Sequence, residues 1–174
     1  MSSSERGPDR LDWRLAVLAL ALPLGGCFEP LYGEAFHPGL AAEMRAIAVA
    51  PIKDRIGHYL GDDLQADLNG SGDTPEPKYR LTVTVSLGTA TPTVTSQLQV
   101  ANAATVTANT TFTLTPAGGG TALMTGSAIS AAVYDRTEDR FANLRAARDA
   151  EIRLAKTIAG EIELRVAAYL GERK

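Results

Sequence analysis

The chain has 174 residues, with 17 Lys and Arg against 20 Asp and Glu and a net charge of −3 at pH 7. That length suits one domain with a substantial core, and the acidic balance argues against a general nucleic-acid binder, which carries a basic face. One cysteine leaves no intrachain disulfide, and two histidines without a Cys/His cluster leave no zinc-type site.

The N-terminus reads as a processed leader. Arg6, Arg10 and Arg14 precede an uncharged apolar run, Leu15 to Leu24. Ten such residues span about 15 Å as a helix, roughly half a bilayer core. This is a secretory signal and not a membrane span. It ends in Leu24-Gly25-Gly26-Cys27, which resembles the lipobox of bacterial lipoproteins. There the thiol takes a diacylglyceryl group and the chain is cut just before it. Small Gly25 and Gly26 leave the thiol accessible. Several acyl chains on one residue anchor stably, since each buried CH₂ adds about 0.8 kcal/mol. The expected organisation is a signal peptide over 1–26, a lipid-anchored tether over 27–46 and an α+β domain over 47–174.

Ala46 to Ala50 is a short apolar run stopped by Pro51, which predicts a buried first strand. Ile56, Tyr59, Leu60, Leu64 and Leu68 fall at helical spacing, and Asn69-Gly70 ends that helix. Asp62, Asp63 and Asp67 read as its charged face and not as a cation site, because one helix supplies too few converging oxygens. Tyr79 to Leu87 alternates apolar and polar residues with period two, the pattern of a half-buried strand. A hairpin connection with Pro92 follows. Leu98 to Thr115 and Ala122 to Tyr134 read as two more strands, joined by the Pro116-to-Gly120 turn. Phe141 to Leu170 predicts a long helix with Leu144, Ile152, Ala155, Ile158, Ala159, Ile162, Val166 and Tyr169 on one stripe. The order β-α-β-β-β-α predicts a four-stranded antiparallel or mixed sheet with both helices on one face.

Charge is distributed very unevenly. From Leu81 through Tyr134 there is no Asp, Glu, Lys or Arg, and fourteen positions are Thr. A solvated sheet face ordinarily carries Lys and Glu. A neutral hydroxyl-bearing face can be covered without burying charge, as the centres of interfaces are. A protein partner is therefore expected on this sheet, with Thr82, Thr84, Thr107 and Thr111 among its contacts.

Several segments together resemble the LPS-assembly lipoprotein family, LptE, in its alphaproteobacterial form. They are Cys27-Phe28-Glu29-Pro30-Leu31-Tyr32-Gly33, Pro51-Ile52-Lys53-Asp54-Arg55-Ile56-Gly57, Tyr79-Arg80-Leu81, and Leu144 to Glu151 running on to Ile162. The chain lacks the Gly that family members often carry between the cysteine and the Phe. The resemblance implies an acylated lipoprotein on the periplasmic face of the Gram-negative outer membrane. It would plug the lumen of the β-barrel LPS translocon LptD, help that barrel assemble and contact LPS in transit. On that reading Phe28, Pro30, Leu31 and Tyr32 are further partner contacts. Lys53, Arg55, Lys78 and Arg80 are candidate cations for lipid phosphates, expected to converge at one end of the sheet. No nucleophile elbow, metal cluster or phosphate loop is present in the sequence, so a non-catalytic role without a cofactor is expected. The alternative is an auxiliary lipoprotein of an ABC-type lipid transport system.

Overall fold

The computed structural model describes residues 39–70, 75–91 and 103–173. Cys27, Phe28, Pro30, Leu31 and Tyr32 lie outside the described residues, as do the signal segment and the Pro92 connection. Seven elements follow in chain order: α1 (Leu40–Arg45), β1 (Ile47–Val49), α2 (Asp54–Asn69), β2 (Tyr79–Ala90), β3 (Ala103–Pro116), β4 (Met124–Asp135) and α3 (Arg140–Glu172).

The strands form one mixed sheet in the order β1-β2-β3-β4. β1 runs parallel to β2, with Ile47 opposite Tyr79 and Val49 opposite Leu81. The parallel pair is closed by the crossover through α2, as parallel neighbours require. β2, β3 and β4 form an antiparallel meander with unbroken register, Tyr79 opposite Pro116 and Leu114 opposite Met124.

Period-two alternation decides which face each strand residue takes. Leu81, Val83 and Val85 of β2, Ala104, Val106, Ala108, Phe112 and Leu114 of β3, and Ala128 and Ala132 of β4 are buried on one face. Both long helices pack there. α2 contributes Ile56, Leu60, Leu64 and Leu68, one buried residue per turn. α3 contributes Leu154, Ala155, Ile158, Ala159, Ile162, Val166 and Leu170. Ala155 and Ala159 put small side chains at core positions of α3.

Two glycines are fixed by close contact. A Cβ on Gly126 would stand 2.4 Å from Phe112 Cζ, so the Phe112 ring lies over the backbone of β4. A Cβ on Gly57 would meet the Ile52 carbonyl carbon at 2.9 Å, at the reversal where β1 turns into α2. The same reversal holds Asp54 at φ 68°, a left-handed conformation that Asp tolerates better than most residues.

α1 occupies residues 40–45, at the end of the expected tether, and buries Leu40 and Met44 in the core. β3 is described from Ala103, and the expected strand start at Leu98 lies outside the described residues. One expectation is corrected: the helical stripe expected on α3 is narrower than its sequence suggests. Leu144 is 59% exposed and Ile152 42%, and no residue from Arg140 to Asp149 is buried. Glu151 and Leu154 take the core positions instead.

Candidate interaction surface

The face of the sheet away from the helices is built by the alternate residues of β2, β3 and β4. Register lines them up in rows of three. Thr82, Thr113 and Thr125 form one row, and Thr84, Thr111 and Ser127 the next. Then come Ser86, Asn109 and Ile129; Gly88, Thr107 and Ala131; and Ala90, Thr105 and Val133. Thr82, Thr84, Thr107 and Thr111, singled out from the sequence, all stand on this one face.

The rows change character along the strands. The first two carry hydroxyls throughout. The later ones turn apolar on β4, where Ile129 is 68% exposed and Val133 56%. Charge enters only at opposite corners, with Arg80 beginning β2 and Asp135 ending β4. Among the described residues, two hydroxyls of this face donate to main-chain carbonyls, Ser86 to Asn109 O and Thr115 to Arg80 O, both at 3.4 Å. The other hydroxyls keep their donor and both lone pairs for an outside partner. Covering such a face requires hydrogen bonds from the partner but no desolvation of charge, which costs far more.

The two edges of the sheet differ. In β4 the outward carbonyls face α3, and two are taken by arginines. Arg153 Nη2 donates to Val133 O at 3.3 Å, and Arg165 Nη1 donates to Ser127 O. Each arginine is steadied by a carboxylate one turn earlier, Asp149 at 2.9 Å and Glu161 respectively. At the other edge β1 covers only Tyr79 to Leu81, and Ala50 N donating to Leu81 O at 2.8 Å is the last such bond.

The four candidate cations do not converge. Because β1 is parallel to β2 and α2 turns back, Lys78 and Lys53 stand at opposite ends of β1. Lys78 N donates to Ala46 O, before β1, whereas Lys53 follows the end of β1 and caps α2. Arg80 lies on the bare face, opposite Thr115. Arg55 is committed elsewhere. Its Nε and Nη2 donate to Glu151 Oε2 and Oε1 at 2.9 and 2.6 Å, a bidentate pair between α2 and α3. Hydrogen bonding to that carboxylate, and then its charge, hold the Arg55 guanidinium above its ordinary pKa. Sequence reasoning missed this pair. The partners are 96 residues apart, and no local pattern joins them.

On the outer side of the helices, Asp63 and Glu163 are half-buried near Asp67. Burial first, and then the Asp67 charge, raise both carboxyls above the usual range, with Lys156 partly offsetting the shift at Asp63. Among the described residues no group of His, Cys, Asp and Glu is arranged to hold a metal ion, and no helix is long and apolar enough to cross a membrane.

No protein-family model matches the chain, and no curated protein matches it. Solved structures do. A protein of Caulobacter crescentus CB15 described as a lipoprotein superposes with a TM-score of 0.62 at 22% identity, over 76% of this chain and 96% of that one. The rare lipoprotein B of Shewanella oneidensis superposes with a TM-score of 0.52 at 12% identity, over 70% of this chain and 93% of that one. This chain shares their fold. The match runs over nearly the whole of both neighbours, so the shared fold is the complete domain and not a common fragment.

Proposed function

We propose that this protein is an LptE-type lipoprotein, held to the periplasmic face of the outer membrane by acyl groups on Cys27. In this reading it seats its bare sheet face against the inner wall of a β-barrel that exports LPS, and it supports the assembly of that barrel. The observation that carries the reading is the uncharged face itself. Rows of Thr and Ser on three adjacent strands offer hydrogen bonds to a polar barrel lumen without bringing ions into it. The fold shared with rare lipoprotein B supports the reading, as does the lipobox at Leu24 to Cys27.

The role is one of contact and not of turnover. Hydroxyls at Thr84 and Thr111 stand directly opposite each other in the register and present one patch. Lys53 stands apart from Lys78 and Arg80, and Arg55 is paired with Glu151, which argues against a single lipid-phosphate site built from all four, so the reading gives the protein a structural part in export.

The test is photocrosslinking in intact cells from Thr84, Thr111 and Ile129, with the exposed Ala168 of α3 as the control position. The expected result is a crosslink to one large barrel from the three sheet positions and none from Ala168. Crosslinks to an inner-membrane permease would favour the ABC-system alternative. Absence of any crosslink from the sheet positions, with the protein present at normal levels, would overturn the reading.

A further inference from the structure

β2 is twelve residues long, and β1 pairs with only its first three. Since the Leu81 carbonyl points toward β1, period two sends the backbone N–H and C=O of Val83, Val85, Leu87 and Thr89 out of the same edge. Among the described residues nothing bonds to them. The edge is unbroken, because its register with β3 is continuous from Tyr79 to Ala90 without a bulge. From Thr82 to Ala90 it carries no charge and no proline.

Natural proteins blunt such edges with lysine, proline, bulges or a covering element. This one does so at β4, where Arg153 and Arg165 occupy outward carbonyls. Among the described residues it does none of this along β2 beyond Leu81. We propose that the β2 edge from Val83 to Ala90 receives an extended strand from the barrel-forming partner, adding a fifth strand to the sheet by β-augmentation. The inference rests on the partner reading above for the identity of the donor.

The edge specifies what it accepts. A strand of about eight residues, roughly 26 Å long, would satisfy the exposed groups. It has apolar residues on one face, to lie beside Val83, Val85 and Leu87, and small polar residues on the other, to continue the rows of Thr82, Thr84 and Ser86. It carries no charge in its middle, since nothing on β2 would pair with one. A second copy of this chain fits poorly. β1 lies along the same edge of β2, so a copy paired antiparallel over the whole of Val83 to Ala90 would bring its Ala90 and Thr91 against the end of β1, where Ala50 N already holds the Leu81 carbonyl.

The experiment uses the full-length lipoprotein in intact cells. A photocrosslinker is placed at Thr89, on the open edge, and separately at Ile129, on the bare face. Crosslinked peptides are identified by mass spectrometry. The expected product from Thr89 is one uncharged segment of the barrel protein. Leu87→Pro, which removes an outward N–H and leaves the β3 ladder intact, is expected to cut the Thr89 crosslink about tenfold with the Ile129 crosslink retained, as β-augmentation depends on main-chain bonds. Retention of the Ile129 crosslink also reports that the variant folds. Three results would overturn the inference while leaving the partner reading in place, given an Ile129 crosslink to the barrel. They are no crosslink from Thr89, a Thr89 crosslink only to a second copy, and a Thr89 crosslink undiminished by Leu87→Pro. Loss of both crosslinks in the unsubstituted protein would overturn the partner reading as well.

Discussion

The two faces of the sheet are made by the same three strands, yet they solve opposite problems. One face closes over Phe112, Leu81 and Leu114 beneath α2 and α3. The other presents hydroxyls outward and buries no large side chain. Adjacent residues of β3 show the contrast directly: Thr110 is buried on the helix side, whereas Thr111 is exposed on the bare side. The lesson is that threonine is used here for two purposes. On the bare face it supplies hydrogen bonds. In the core Thr110 supplies shape, for its Oγ1 is buried with no partner among the described residues.

The largest expected effect falls on the covered face. Phe112→Ala removes the ring that packs over Gly126 and should cost about 3–5 kcal/mol, read as a large drop in melting temperature. Next is the pair that joins the helices. Arg55→Ala leaves the carboxylate of Glu151 nearly buried without its counter-ion. Because Arg55 itself is half in solvent, the cost should be about 1–2 kcal/mol, below that of a fully buried pair. Melting of Arg55→Lys would sharpen this, since a lysine cannot reproduce the fork.

Identical substitutions on the two faces then separate their roles. Thr110→Val should stabilise the isolated protein by about 1 kcal/mol, because it removes an unsatisfied buried hydroxyl without changing volume. Thr111→Val should move stability by less than about 0.5 kcal/mol, yet weaken crosslinking of the sheet to its partner. Equal stability changes at the two positions would erase the distinction between the faces.

The smallest effect is one of pH. Asp63 and Glu163 have pKa values raised in the folded state, so the folded protein binds more protons than the unfolded chain just above the usual carboxylate range. Their contribution is therefore favourable at low pH and is lost as pH rises through the raised values. Glu163→Gln should add about 0.5 kcal/mol or less at neutral pH. It should also flatten the decline in thermal stability between acid and neutral buffer.

Much of this architecture was legible in the chain because burial leaves a periodic trace. Period two from Tyr79 to Leu87 marked β2 and assigned its threonines to one face. The four-residue spacing of Ile56, Leu60, Leu64 and Leu68 marked α2, and Asn69-Gly70 its end. What local patterns cannot carry is who meets whom. Arg55 looked like a free cation because Glu151 lies on another element. Lys53 and Lys78 looked like neighbours of one site because the parallel course of β1 is a tertiary fact. α1 escaped notice because six residues with Leu40 and Met44 alone on its inner side give too short a period. The start of α3 misled in the other direction. Leu144 has helical spacing, but a helix can outrun the core it packs on.

That overrun has a dynamic consequence. α3 has 33 residues and a length of about 50 Å, and the first ten of them bury no side chain. They are held by Asp139, whose carboxylate accepts from Phe141 N and Ala142 N, and by the reciprocal bonds of Thr137 with Asn143. Isolated helical turns of this length are marginal in water. One continuous rod in shape thus divides into two zones of amide protection. From Ala150 onward, exchange should require opening of the whole domain, while the turns before it unwind and rewind on their own, presenting Phe141 and Leu144 as they do so.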